Sequence, residues 1–194
     1  MSNILIINAH HHYSFAEGRL NQTLTQIADE ALTAKGHQTR TVIIGEGWEV
    51  ESELENHQWA DVVLLQSPVY WMGVPWTFKK YIDEVYTAGA QGQLCNSDGR
   101  HSDAPKQNYG TGGTLTDKKY MFSLTFNAPE EAFNNTSEYL LQGKSVDDLW
   151  FPMHMNYRFF GMKSLPTFVC YDVMKNPQIE TDINRFKAHL DQHF

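Results

Sequence analysis

Cysteine is scarce in this chain of 194 residues, occurring only at Cys95 and Cys170. The two lie far apart and outside any C-x-x-C spacing, which argues against a disulfide framework or a cysteine zinc site and leaves two inert reduced thiols. Long hydrophobic runs are also missing, and a mean hydropathy of -0.47 leaves no room for a membrane span. Basic residues fall short, with 15 Lys and Arg against 23 Asp and Glu and a formal charge of -8. A nucleic-acid partner is therefore not expected, because neutralising phosphates takes clustered cations. For the same reason, any phosphate-bearing cofactor would need backbone N–H groups and a helix N-terminus to grip it against the overall field. The opening MSNILIINAH shows no basic segment before its short apolar run, so no signal peptide is read there and a cytoplasmic location is the expectation.

What is present is the composition of an ordinary globular protein, 41% hydrophobic and 20% charged, at a length that suits one domain over residues 1–194. Short apolar runs alternate with helical patterns. NILIIN (3–8), TRTVII (39–44) and DVVLLQ (61–66) are apolar on successive residues, as in strands of a parallel sheet buried on both faces. KKYMFSLTF (118–126) reads as a fourth strand, and SLPTFVCYDV (164–173) contains a fifth. Between the first two runs, Leu20, Leu24, Ile27, Ala31 and Ala34 recur at helical steps, with Gly36 as a stop. VPWTFKKYIDEVYT begins near Pro75 and sets Trp76, Lys80, Tyr81 and Val85 roughly along one side; QIETDINRFKAHLDQH closes the chain as an amphipathic helix. The fold class is α/β, a doubly wound five-stranded parallel sheet with helices on both faces. Ligands of such sheets sit outside the carboxyl ends of the strands, at the topological switch point, which puts Pro68 to Gly73 on the rim. Residues 89–117 carry no period, and a stretch of that length is more often functional or disordered than neutral.

Three places carry candidate chemistry. The turn after the first strand, NAHHHYSFAEGRLNQT, would aim free N–H groups of a helix start at an anion, with Ser14, Asn21 and Thr23 as further donors. It is neither G-x-G-x-x-G nor a Walker loop. His10, His11 and His12 are adjacent and lack a spaced carboxylate or Cys partner, so no metal site is expected. In PVYWMG, Pro68 stiffens the loop while Tyr70 and Trp71 offer faces to a flat aromatic ligand; for Trp76, core or dimer packing is an equal reading. In SLTFNAPEEAF, Thr125, Asn127 and nearby amides would anchor a ring edge, and Asn127 would cap a helix entered at Pro129. No nucleophile elbow, Ser-His-Asp set or carboxylate pair can be picked out. Rim aromatics without acid-base machinery imply that a cofactor does the chemistry, and a flavin leads.

In this order, MSNILIINA, GRLNQTLT, WADVVLLQSPVYWMGVPWTFKKYIDEVYTAG, SDGR, YGTGG, KKYMFSLTFNAPEEAF and LPTFVCYDVMK closely resemble the bacterial NADPH:quinone oxidoreductases called modulator of drug activity B, of the flavodoxin-like NAD(P)H dehydrogenase (quinone) superfamily. The resemblance runs from end to end. It implies a flavodoxin-like fold, non-covalent FAD, NADPH as donor, quinones as acceptors and a homodimer. Carried over by position, it implies pyrophosphate and ribityl contacts on Ala16, Glu17, Gly18, Arg19, Leu20, Asn21, Gln22 and Thr23; where the family has a serine at the position of Ala16, either Ser14 replaces that hydroxyl or the phosphate relies on backbone amides and Arg19. The ring would meet Pro68, Val69, Tyr70, Trp71 and Met72 on one side and Thr125, Phe126, Asn127 and Ala128 on the other, with Tyr109 nearby.

Backbone groups near Asn127, Gly112 and Gly113 would supply donors to the ring. With Trp71, His154 and Tyr157 are candidates for the substrate mouth, from this chain or a partner subunit, and Phe151, Phe159 and Phe160 are as readily core residues. The implied reaction is ping-pong hydride transfer from NADPH to a quinone through one shared site, a two-electron delivery that avoids quinone radicals and fits a role in oxidative stress. Two alternatives stay open: an FMN-dependent azo- or nitroreductase on the same fold, and a non-catalytic flavin-binding regulatory subunit.

Overall fold

The computed structural model describes all 194 residues. Strands β1 (Asn3–Asn8), β2 (Gln38–Ile43), β3 (Val62–Pro68) and β4 (Lys119–Thr125) lie in the order β2-β1-β3-β4, all parallel. The far edge is one strand in two pieces. β5 (Lys163–Ser164) pairs with Lys119 and Tyr120, and β6 (Phe168–Cys170) pairs with Ser123 to Thr125. Pro166 sits in the gap, where its missing N–H removes a ladder bond. The strand expected within residues 164–173 is thus present and broken.

Successive side chains of a strand point to opposite faces, and the central strands are apolar on both. Leu5, Ile7, Val63, Leu65 and Phe122 face one way, into the larger core with Phe78, Tyr81 and Trp150. These come from helix α3 (Trp76–Tyr81) and the segment joining the short helices α4 (Val146–Leu149) and α5 (Phe151–Phe159). Helix α2 (Val50–Trp59) adds Leu54 to the same core. Ile4, Ile6, Leu64 and Met121 face the other way, against Leu24, Ala28 and Leu32 of α1 (Arg19–Ala34) and Phe186 and Leu190 of α6 (Ile179–His193). β2 departs from expectation: as an edge strand it is only half covered and keeps none of its six residues fully buried.

Three helical readings shift. The buried stripe of α1 is Asn21, Leu24, Thr25, Ala28 and Leu32, with Leu20, Ile27 and Ala31 on its flank. Two polar members hide this stripe from a hydrophobic pattern, and both lie at the end nearest the rim. In α3 the inward residues are Thr77, Phe78 and Tyr81, continuing through a π-helical turn (Ile82–Tyr86) that brings in Ile82, Val85 and Tyr86, while Trp76 and Lys80 face solvent. Asn127 caps no helix; a single 3₁₀ turn (Glu130–Ala132) follows Pro129. Helix α2 has no apolar stripe to betray it, since its buried residues are Glu53, Leu54 and His57.

From β1 the chain crosses to β2 on one side and returns for β3 on the other, so the crevice opens between the carboxyl ends of β1 and β3. No helix is long and apolar enough to cross a membrane.

Candidate functional site

The loops leaving β1, β3 and β4 border two joined hollows at this crevice. The first, about 720 Å³, is walled by Val69, Tyr70, Trp71, Met72, Val74, Pro75 and Trp76 on one side and Phe126, Asn127, Ala128, Phe133, Leu140, Leu141 and Leu149 on the other. Fourteen of its sixteen lining residues are apolar, which suits a flat, poorly solvated ring system. The second, about 630 Å³, contains Ser14, Ala16, Glu17, Gly18, Arg19, Leu20, Asn21, Pro68 and Thr125. Phe15, Val69, Tyr70 and Asn127 belong to both, so the hollows form one bent cleft with an apolar arm and a polar arm.

The polar arm runs over the first turn of α1. Gln22 N–H bonds back to Gly18 O at 2.9 Å, so the N–H groups of Arg19, Leu20 and Asn21 precede the first intrahelical bond and are available to an anion. No acidic residue lies in that turn. Gly18 enters it at φ +83°, and His10 lies directly beneath, its Nε2 3.1 Å from Ala16 O. Burial holds the His10 pKa below the usual imidazole value, so the ring stays neutral near pH 7 and does not supply the missing positive charge. Arg19 does not supply it freely either, because Glu17 receives its Nε at 2.7 Å and its Nη2 at 2.5 Å. The donors left facing the polar arm are the backbone amides of the helix start, with the Ser14 hydroxyl in the same lining.

The apolar arm is bordered by a two-residue turn. Tyr70 and Gly73 exchange both backbone hydrogen bonds, at 2.9 and 3.0 Å, forcing Trp71 (φ 48°) and Met72 (φ 64°) into the left-handed region. Such turns favour Asn-Gly, and a bulky residue there costs on the order of 1–3 kcal/mol. The strained turn leaves Trp71 97% exposed beside the cleft. Opposite, Tyr13 stacks on Phe15 at 5.0 Å and meets Tyr70 edge-on at 5.5 Å. Burial raises the Tyr70 pKa, so its phenol remains protonated.

The expected residues divide. Ser14, Ala16 to Asn21, Pro68 to Met72 and Thr125 to Ala128 come together around the cleft. Gln22 and Thr23 do not, because the helix has already turned them to solvent. Tyr109 lies outside the lining, 73% exposed, with its ring against Phe159 and Arg100. Gly112 and Gly113 are packed against backbone at Asn96, Ser97, Phe160 and Gly161. His154 and Tyr157 are interior residues: Tyr157 has no exposed surface and bonds the Tyr86 hydroxyl at 3.3 Å, while His154 joins Tyr120 Oη at 2.8 Å to Asp147 Oδ1 at 3.2 Å. They face inward because α5 packs this side against the sheet, a direction that a pattern rich in aromatics does not reveal. Phe160 is buried, whereas Phe151 is exposed. Both thiols are buried, and burial pushes Cys170 up to about 12.

Several lining residues escaped the sequence reading. Tyr13 and Phe15 flank Ser14 within HHYSF, a signal that was present. Phe133, Leu140, Leu141 and Leu149, with Val173 and Met174 after the last strand and Ile179 at the start of α6, are brought to the rim only by folding.

A crevice at the switch point of a parallel sheet with helices on both faces is where doubly wound folds bind their ligands. The chain belongs to the family described as Flavodoxin-like fold, which residues 2–194 match. It is 47% identical over 192 residues to the NADPH:quinone oxidoreductase MdaB of Haemophilus influenzae, covering 99% of each chain. A solved Klebsiella pneumoniae structure superposes with TM-score 0.80 at 23% identity, over 99% of this chain and 85% of that one. General stress protein 14 of Treponema denticola, solved in complex with FMN, superposes with TM-score 0.68 at 14% identity over 99% of both chains. The likeness to these two structures establishes the fold.

Proposed function

We propose that this chain is a flavin-dependent NADPH:quinone oxidoreductase, working as one domain over its whole length. The observation that carries the reading is the bent cleft, in which an apolar slot meets three unpaired helix N–H groups. The H. influenzae relative, matched from end to end, supplies the activity and the donor. A bound flavin supplies the two-electron chemistry between NADPH and the quinone.

The residues present fit that group. The Arg19, Leu20 and Asn21 amides and Ser14 would hold its phosphate; Val69 to Met72 and Phe126 to Ala128 would border its ring system and keep water from it. Burial holds the Tyr70 phenol of the apolar arm in its protonated form. The protein's share is therefore binding, orientation and exclusion of water. One arm serving donor and acceptor in turn gives ping-pong kinetics, with parallel double-reciprocal lines.

FAD is favoured over FMN because the polar arm continues past the helix start to Val173, Met174 and Ile179, an apolar platform that an adenine would cover and FMN would leave bare. A homodimer is favoured by the aromatic rim, where Phe15, Trp71 and Trp76 are all exposed. Extraction of the bound flavin, followed by anaerobic mixing with NADPH and then menadione, tests the whole reading. Bleaching and recovery of a flavin band are expected; a colourless protein that takes up neither FAD nor FMN refutes it. Bound FMN with azo or nitro turnover, or flavin without NADPH turnover, would instead establish one of the two alternatives.

A further inference from the structure

Gln66 ends the apolar run of β3 as a carboxamide with no exposed surface, and it does not line the cleft. Its Nε2 donates to Asn21 Oδ1 at 2.8 Å. Asn21 is itself buried; its Nδ2 donates to Thr125 Oγ1 at 3.3 Å, and the Thr125 hydroxyl reaches Asn21 Oδ1 at 3.5 Å, the longer and weaker of the two contacts and the one a hydroxyl can exchange for a better acceptor. Both Asn21 and Thr125 line the polar arm. The other end of Gln66 does nothing comparable: Oε1 is buried without a partner, as is Oγ of Ser123, its neighbour in register on β4.

A buried amide with an unpaired oxygen costs stability, and an apolar residue would suit the strand better. An amide differs from such a residue in having direction, one end donating and the other accepting. We infer that Gln66 is a positioning residue, which fixes the Asn21 amide so that Asn21 donates to Thr125 and the Thr125 hydroxyl keeps its own hydrogen for a bound flavin. With the Asn21 amide reversed, Thr125 would give its hydrogen to Asn21 Oδ1 and offer the cleft only a lone pair. Gln66 thus sets whether the floor of the polar arm donates or accepts. This rests on the flavin reading above.

The test titrates FAD into apo-protein and follows the quenching of flavin fluorescence, with thermal unfolding of each apo variant as a folding control. Gln66→Met keeps the length and removes the donor; it is expected to weaken FAD binding roughly tenfold, the worth of one directed hydrogen bond. In a Thr125→Val background the same change is expected to add nothing, because the hydroxyl through which it acts is gone. Gln66→Glu provides a second readout. A protonated carboxyl can donate to Asn21 and an ionised one cannot, so its FAD affinity should match the parent's at acid pH and fall as pH rises, with no matching fall in the parent. Additive losses in the Thr125→Val background, or a Gln66→Glu variant that binds FAD more weakly than the parent even at acid pH, where the buried carboxyl is protonated and able to donate, overturn the inference while leaving the flavin reading intact. A parent protein that binds no flavin overturns both.

Discussion

A β-carbon on Gly18 would fall 2.2 Å from Nδ1 of His10. The loop between β1 and α1 is folded around that contact: the His10 ring fills the space that the glycine leaves open, and its Nε2 holds Ala16 O. Gly18 also sits at φ +83°, where a side chain is strained regardless of room. Gly18→Ala is therefore expected to destabilise the protein by about 1–3 kcal/mol. It should also weaken flavin binding beyond what the loss of stability explains, as measured by denaturant unfolding and FAD titration on the same variant. Full affinity in Gly18→Ala would show that the helix start tolerates a shift.

The turn at Trp71 and Met72 should show function held at the expense of stability. Met72→Gly relieves a left-handed position and is expected to raise stability by about 1 kcal/mol. The same change removes an apolar wall from the slot. Quinone turnover should fall as the melting temperature rises, and a variant improved in both would mean that the strain is idle.

His57 gives the protein an acid limit. It is fully buried on α2, where burial holds its pKa at about 4 against an ordinary 6.5. Because the unfolded chain takes up this proton more readily than the folded one, the contribution is complete above pH 6.5 and is lost as pH falls towards 4. The full span is about 3 kcal/mol. Glu53, one turn away, has a pKa raised mainly by burial and so works the other way, its contribution being present below pH 4.5 and lost as pH rises through its folded value. Unfolding free energies measured from pH 7 to 4 should fall in the parent and fall less in His57→Phe; equal slopes would assign the acid limit elsewhere.

Tyr157→Phe separates interior from substrate roles. Removing a hydroxyl whose partner is Tyr86 should cost about 1 kcal/mol of stability and leave kcat and KM for the quinone unchanged. A raised KM would bring Tyr157 back to the substrate mouth.

The strands and the rim were legible because their signals are local. β1, β3 and β4 are short runs of successive apolar residues, and a parallel sheet covered on both faces needs little more; the PVYWMG loop follows directly from where β3 ends. Helix α2 was not legible, because its inward face is one leucine between a glutamate and a histidine, acceptable only since Tyr81 Oη bonds Glu53 at 2.8 Å from another element. Asn21 likewise broke the pattern of α1, for its place in the stripe is set by Gln66 and Thr125, both remote in sequence.

By itself the sequence determined the alternation of strand and helix, the absence of any apolar stretch fit to span a membrane, and a flat-ligand loop at the carboxyl end of β3. Tertiary structure alone decided which aromatics line the cleft and which fill the core. Tyr70 and Tyr157 are the same residue type in similarly aromatic stretches, yet one borders the ligand arm and the other is sealed inside. Periodicity reports which way a side chain points from its own element, whereas burial depends on what the rest of the chain lays over it.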